Sequence, residues 1–162
     1  MKEINYIIGD ATNPSIVKGT YSVICHCCNT LGAWGSGFVI PLGRKYPLAK
    51  KEYNKFINKT PADKRLGEVC YAKVTANIVV ANIMGQERIY TDSKGNIPLD
   101  YEALKNGFIK VKERFNSLKV PYSIHMPRIG CGLAGGDWNT VEDMIKEIFS
   151  TNDIEVYVYD LK

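Results

Sequence analysis

Two stretches of the chain concentrate residue types suited to phosphate chemistry. The first is His26-Cys27-Cys28-Asn29-Thr30-Leu31-Gly32-Ala33-Trp34-Gly35-Ser36-Gly37. The second is Met126-Pro127-Arg128-Ile129-Gly130-Cys131-Gly132-Leu133-Ala134-Gly135-Gly136-Asp137-Trp138. Each follows a strand-like run and opens into a helix-like one. Glycine lets the backbone adopt positive φ and lets a ligand approach the main chain. Backbone N–H groups at such a turn face outward and attract anions. Either loop alone reads equally well as an ordinary strand-to-helix turn. Together they point to a ligand with two anionic groups, such as a diphosphate.

The common machinery of phosphate chemistry is missing. The sequence has no GxxxxGK[ST], no Cys-x5-Arg and no Asp-x-Asp. That argues against a P-loop, a cysteine phosphatase and an aspartyl-phosphate mechanism. Gly130-Cys131-Gly132-Leu133-Ala134-Gly135 has the GxGxxG spacing, a weak signal on its own. Only His26 and His125 are present as histidines, too few for a histidine-rich two-metal centre. The run Cys25-His26-Cys27-Cys28 invites a zinc reading. On a strand, however, Cys25 and Cys27 point to one face and His26 and Cys28 to the other, and no second CxxC or HxxxH completes a site. No metal ligand set and no cofactor is expected, and any catalysis must use positioned water, side chains and backbone amides.

Several residues carry two readings. Asp137 stands just before a helix, where Asp is a favoured N-cap, and is also a candidate catalytic acid or base. Asp10 either contacts a ligand or caps the turn before Pro14. Cys131 reads as a spacer thiol in a tight loop, Trp138 as helix-start packing and His125 as a structural strand residue.

The elements that must position these loops alternate along the chain. Strands are predicted at Ile4–Ile8, Tyr21–Cys25, Glu68–Val74, Ile78–Ile83, Tyr122–Met126 and Ile154–Tyr159, all rich in β-branched or aromatic residues. A helix from Leu99 to Leu118 carries Tyr101, Leu104, Phe108, Val111, Phe115 and Leu118 at helical spacing. A second starts at Asn139, where Asn139 and Glu142 form a capping-box pattern. Further helices are predicted over Phe38–Tyr46, stopping at Pro47, and over Leu48–Ile57. Helices between strands imply a three-layer α/β/α sandwich with a mixed sheet of about six strands, with ligands at the carboxyl ends of the strands.

The 162 residues fit a single domain spanning 1–162, with 45% hydrophobic and 23% charged residues, an ordinary globular balance. The net charge of +4 slightly favours anionic ligands, and Lys50-Lys51 reads as a solvated helix face. No apolar run approaches the ~20 residues that span a bilayer, and Met1–Asp10 lacks the apolar core of a signal peptide. A cytoplasmic location with reduced thiols is expected, with no membrane partner. The sequence sets no oligomeric state.

The combination of Gly9-Asp10 after the first strand, His-x-x-Asn before a Gly-x-Gly turn, and MPRIGCGLAGGDW resembles a macrodomain over Tyr6–Leu161. The stretch HCCNTLGAWGSGFVIPLGRKYP is similar to the ADP-ribose 1''-phosphate phosphatase branch. The resemblance implies binding of ADP-ribose or ADP-ribose 1''-phosphate, or of ADP-ribosylated macromolecules. It implies that Gly9, Asp10 and Ala11 lie at the adenine, with Asp10 accepting from the amino group, and that Asn29 bonds the distal ribose. Gly35, Ser36 and Gly37 would approach the distal ribose and diphosphate. Gly130, Cys131, Gly132, Leu133, Ala134 and Gly135 would cradle the phosphates, and Tyr159 would pack on the adenine face. The candidate catalytic residues are His26, Asp137 and Asn29, with either His26, near its ordinary pKa of ~6.5, or Asp137 activating water or protonating the leaving group. Terminal ADP-ribose glycohydrolases carry an acidic residue after Gly-x-Gly-Leu and a reactive lysine. Here that position is Ala134, and Gly85-Gln86-Glu87-Arg88 holds no lysine. Three functions therefore stay open: phosphate release from ADP-ribose 1''-phosphate, removal of ADP-ribose from protein or nucleic acid, and binding without turnover.

Overall fold

A computed structural model describes residues 1–162. Six strands form one sheet in the order β1-β6-β5-β2-β4-β3. They are β1 (Asn5–Ile8), β2 (Tyr21–Asn29), β3 (Val69–Lys73), β4 (Ile78–Gln86), β5 (Tyr122–Met126) and β6 (Glu155–Asp160). Five run parallel, and β3 pairs antiparallel with β4 at one edge. The helices are α1 (Val39–Lys45), α2 (Pro47–Lys59), α3 (Tyr101–Ser117) and α4 (Trp138–Ile148).

Side-chain alternation sorts the core into two layers. Val23, Ile83, Ile124, Met126, Val156 and Val158 face the α3–α4 side and pack with Phe108, Phe115, Val141 and Ile145. Ile24, Ile78 and Val80 face the other side and pack with Leu42, Tyr46 and Ala49 of the α1–α2 unit. Every residue of β4 except Gln86 is buried, the pattern of a strand covered on both faces. This is the expected three-layer sandwich with a mixed sheet. No helix is long and apolar enough to cross a membrane.

Local details differ from the sequence expectations for tertiary reasons. Strand β2 extends to Asn29, because β4 continues beside it as far as Gln86, with a register shift at Cys28/Asn29. The His26-Cys27-Cys28 run is therefore strand, and its side chains alternate faces. The first helix stops before Pro47 as expected, and the second starts one residue earlier than expected, with Pro47 at the first position of α2, where its missing N–H costs nothing. The cap of α4 is Asp137, not Asn139, and Asn139 lies inside the helix. The cap of α3 is Asp100, which accepts from the Ala103 N–H at 3.0 Å, so that helix starts at Tyr101.

Parallel pairing places the carboxyl ends of β1, β2, β4, β5 and β6 along one sheet edge. Both glycine loops leave from that edge, the first after β2 and the second after β5.

Candidate functional site

Between the two loops lies a cavity of about 310 Å³. One wall comes from β2 and its loop: His26, Cys27, Cys28, Asn29, Ala33 and Gly35–Val39. The opposite wall is Pro127–Gly130 and Gly132–Ala134. Gln86, the last residue of β4, and Ile89 beyond it contribute to the lining. The loops meet at one point, where a Cβ on Gly37 would stand 3.4 Å from Leu133 Cδ1.

The main chain supplies most of the polar character. The amides of Gly35, Ser36 and Gly37 make no hydrogen bond within the chain, nor do those of Gly132, Leu133 and Ala134. Their neighbours are occupied: Gly135 N–H donates to Gly132 O and Gly136 N–H to Gly130 O, which folds the second loop back on itself. Gly37, Gly130 and Gly135 have φ of 81°, 74° and 76°, the left-handed region. Gly35 and Gly132 differ: both have ordinary φ, and a Cβ on either would meet nothing within 4 Å. Glycine there is not required by the fold. It leaves room over the amides.

Asn29 shapes the first loop. Its Oδ1 accepts from Leu31 N–H (3.0 Å) and Ala33 N–H (3.1 Å), and its Nδ2 donates to Ala33 O (2.8 Å). One amide hydrogen is left for a ligand. The loop is held from behind by Tyr53, whose hydroxyl donates to Asn29 O at 2.6 Å and accepts from Gly32 N–H at 3.1 Å. Arg65 bonds Thr30 O, Ile57 O and Thr60 O, tying the same loop to the end of α2.

His26 lines the cavity wall but is 1% exposed. Its Nε2 bonds the Asn82 Oδ1. Asn82 Nδ2 donates to Ala49 O at 3.2 Å, which fixes the amide orientation and puts the imidazole proton on Nε2. Trp34 meets the ring edge-on, with centroids 5.6 Å apart, and Phe38 lies at 5.8 Å. Burial lowers the His26 pKa to about 4, only partly opposed by the Asn82 bond. The expectation of a pKa near 6.5 is thus corrected. At neutral pH the ring is therefore neutral, with its proton on Nε2 and none on Nδ1.

The other expected site residues fall outside this cavity. Asp137 is exposed and engaged as a cap: Oδ2 accepts from Thr140 N–H (3.2 Å) and Thr140 Oγ1–H (3.0 Å). Asp10 Oδ1 accepts from both Thr12 N–H and Thr12 Oγ1–H at 2.8 Å, which leaves Oδ2 free. Gly9 and Ala11 belong to the same turn, with Ala11 buried. Cys131 and Gly135 belong to the second loop but do not line the cavity, and burial raises the Cys131 thiol pKa to about 11, far from an activated nucleophile.

Tyr159 is buried under the Gly9 turn, with its hydroxyl 2.7 Å from His125 Nδ1. It is turned into the sheet face because its neighbours Val158 and Asp160 take the other orientation. It does not line the cavity, and it supports the Gly9–Asp10 turn from below.

Arg128 was not anticipated from the sequence. It lines the cavity, makes a two-pronged bond to Asp160 (2.8 and 2.9 Å), and lies 5.1 Å from the rings of both Tyr6 and Trp138. Its place in MPRIG was the only available signal. Gln86 and Ile89 reach the site through the pairing of β4 with β2, and Phe38 because it follows Gly37 directly.

A solved macrodomain protein from Streptomyces coelicolor shares 38% identity with this chain, covering 98% of it and 99% of that protein, with a TM-score of 0.81. The chain belongs to the macrodomain family. A Bacteroides thetaiotaomicron protein of unknown function is 42% identical, with coverage of 98% of both chains and a TM-score of 0.88. Among curated relatives, the ADP-ribose 1''-phosphate phosphatase of Lodderomyces elongisporus is 25% identical over 97% of this chain and 99% of its own length. No family model matches the chain.

Proposed function

We propose that the cleft binds ADP-ribose and that the protein hydrolyses ADP-ribose 1''-phosphate to ADP-ribose and phosphate. The observation that carries this reading is the set of six unpaired amides, three on each glycine loop, facing one cavity under two glycines that the fold does not need. Amides in such a concave array bind phosphate oxygens. Diphosphate and distal ribose occupy the cavity. The adenine extends toward the Asp10 turn, where Oδ2 is free to accept from its amino group. Asn29 offers its remaining amide hydrogen to the distal ribose.

In the reaction, water adds to phosphorus and the P–O1'' bond breaks, and the proton the attacking water loses passes to the leaving ribose oxygen. The loop amides stabilise charge on the phosphoryl oxygens. His26 Nδ1 orients or weakly activates water and does not protonate the leaving group. Relatives named ADP-ribose 1''-phosphate phosphatase match along nearly the whole chain, which supports this choice of substrate. Ala134 stands where a glycohydrolase of the covalent type has an acid, which weighs against that route. Cytoplasmic residence fits the five unpaired cysteines, Cys25, Cys27, Cys28, Cys70 and Cys131.

The test is a substrate panel: ADP-ribose 1''-phosphate, ADP-ribosylated protein and ADP-ribosylated DNA, each assayed with and without EDTA. Phosphate release from the first, unaffected by EDTA, is the expected result. ADP-ribose release from a macromolecule with no phosphatase activity would transfer the function to the second class. Tight ADP-ribose binding with no product from any substrate would make the protein a reader.

A further inference from the structure

The turn carrying Asp10 and the turn carrying Asn29 are separate in sequence but are held by one rigid element. Tyr46, at the joint between α1 and α2, donates from its hydroxyl to Thr12 O at 2.9 Å. Tyr53 makes the equivalent contact with Asn29 O at 2.6 Å. Tyr46 caps the start of α2 and Tyr53 stands seven positions further on, about two helical turns, so both side chains leave the same side of one helix.

Each bond continues to a ligand-facing group. Thr12, held by Tyr46, donates twice to Asp10 Oδ1 and fixes that carboxylate. The Tyr53 oxygen also takes the Gly32 N–H and so closes the turn that Asn29 shapes. Both tyrosines are buried, Tyr53 completely. Thr12 lies in a turn outside the sheet, and Asn29 is the last residue of β2, where the strand gives way to the loop. Lys45 Nζ adds a contact to Asn13 Oδ1 at 3.1 Å on the same turn as Thr12.

We propose that Tyr46 and Tyr53 are paired positioning residues that set the separation between the Asp10 turn and the Asn29 turn, and that they thereby select ligands by length. This rests on the reading of the cleft as an ADP-ribose site. The helix acts as a spacer: a ligand must place its adenine and its distal ribose at the distance that α2 imposes on the two turns. Neither tyrosine touches the ligand.

The test uses Tyr46→Phe and Tyr53→Phe in the full chain, with three probes measured by calorimetry: ADP-ribose, AMP for the adenine half and ribose 5-phosphate for the distal half. Tyr46→Phe should weaken ADP-ribose and AMP by a common factor, roughly tenfold for one lost buried hydrogen bond, and leave ribose 5-phosphate unchanged. Tyr53→Phe should do the reverse, weakening ADP-ribose and ribose 5-phosphate and sparing AMP. A purely structural role would weaken all three probes together, and that result, or no change in any, overturns the proposal. Amide hydrogen exchange provides an independent arm, with faster exchange expected at Thr12–Asn13 in one variant and at Gly32–Ala33 in the other. If the wild type binds none of the probes, the reading of the cleft falls. The pairing is then judged by exchange, and protection equal to wild type in both variants overturns it.

Discussion

The imidazole of His26 is locked to Asn82, 56 positions away in the chain, through Nε2 and Oδ1, and the Asn82 amide is itself anchored to the carbonyl of Ala49. Strands β2 and β4 place these residues directly opposite one another. The pairing fixes which nitrogen carries the proton and, with burial, keeps the ring neutral at pH 7.

The first prediction is kinetic. With the His26 pKa near 4, phosphate release should be level between about pH 5.5 and 8, without a limb near 6.5. His26→Ala should slow release by roughly 10²-fold, the low end of the range for one general base. A bell-shaped profile with an inflection near 6.5 that disappears in His26→Ala would show that the ring titrates normally and that its assigned role is wrong.

Stability should follow the same burial. Both His26 and His125 have folded-state pKa values of about 4, depressed by desolvation. Below pH ~6.5 the unfolded chain takes up protons that the folded chain refuses. Stability is therefore fully present above that pH and is lost as pH falls toward 4, at up to about 1.4 kcal/mol per pH unit for each histidine. Denaturant unfolding of His125→Gln across this window should show a slope shallower by one proton. An unchanged slope would contradict the assignment.

Asp137 should behave as a cap. Asp137→Ala should cost about 1 kcal/mol of stability, and Asp137→Asn much less, because Asn keeps an acceptor for the Thr140 N–H. Phosphate release per folded molecule should stay within a few-fold of wild type in both. A large rate loss in Asp137→Asn at normal melting temperature would make the carboxylate catalytic.

Much of this architecture was legible in the sequence because it rests on local rules. The α3 stripe from Leu104 to Phe115 and the alternation of Ile124, Met126, Val156 and Val158 are periodic signals, and they fix the layers. The glycine loops could be read because Gly37, Gly130 and Gly135 need positive φ whatever surrounds them. What escaped depends on pairing across the fold. The extension of β2 through His26 comes from β4. The occupation of Asn29 depends on where Ala33 turns back, and Tyr53 matters only because α2 packs behind that turn. The contact of the Tyr159 hydroxyl with His125 likewise depends on β6 lying beside β5. Asp137 and Asp10 carried two readings from the start, and their hydrogen bonds fit capping and turn formation.

The central claim is that the two glycine loops form one anion-binding cleft for ADP-ribose. Gly132→Val tests it most directly, because a Cβ at Gly132 meets no protein atom within 4 Å and the residue has no positive φ to strain. Calorimetry should show ADP-ribose binding to the wild type and none to Gly132→Val, with the melting temperature of the variant within a degree or two of wild type. Undiminished ADP-ribose affinity in a correctly folded Gly132→Val protein would place the ligand elsewhere and contradict the account.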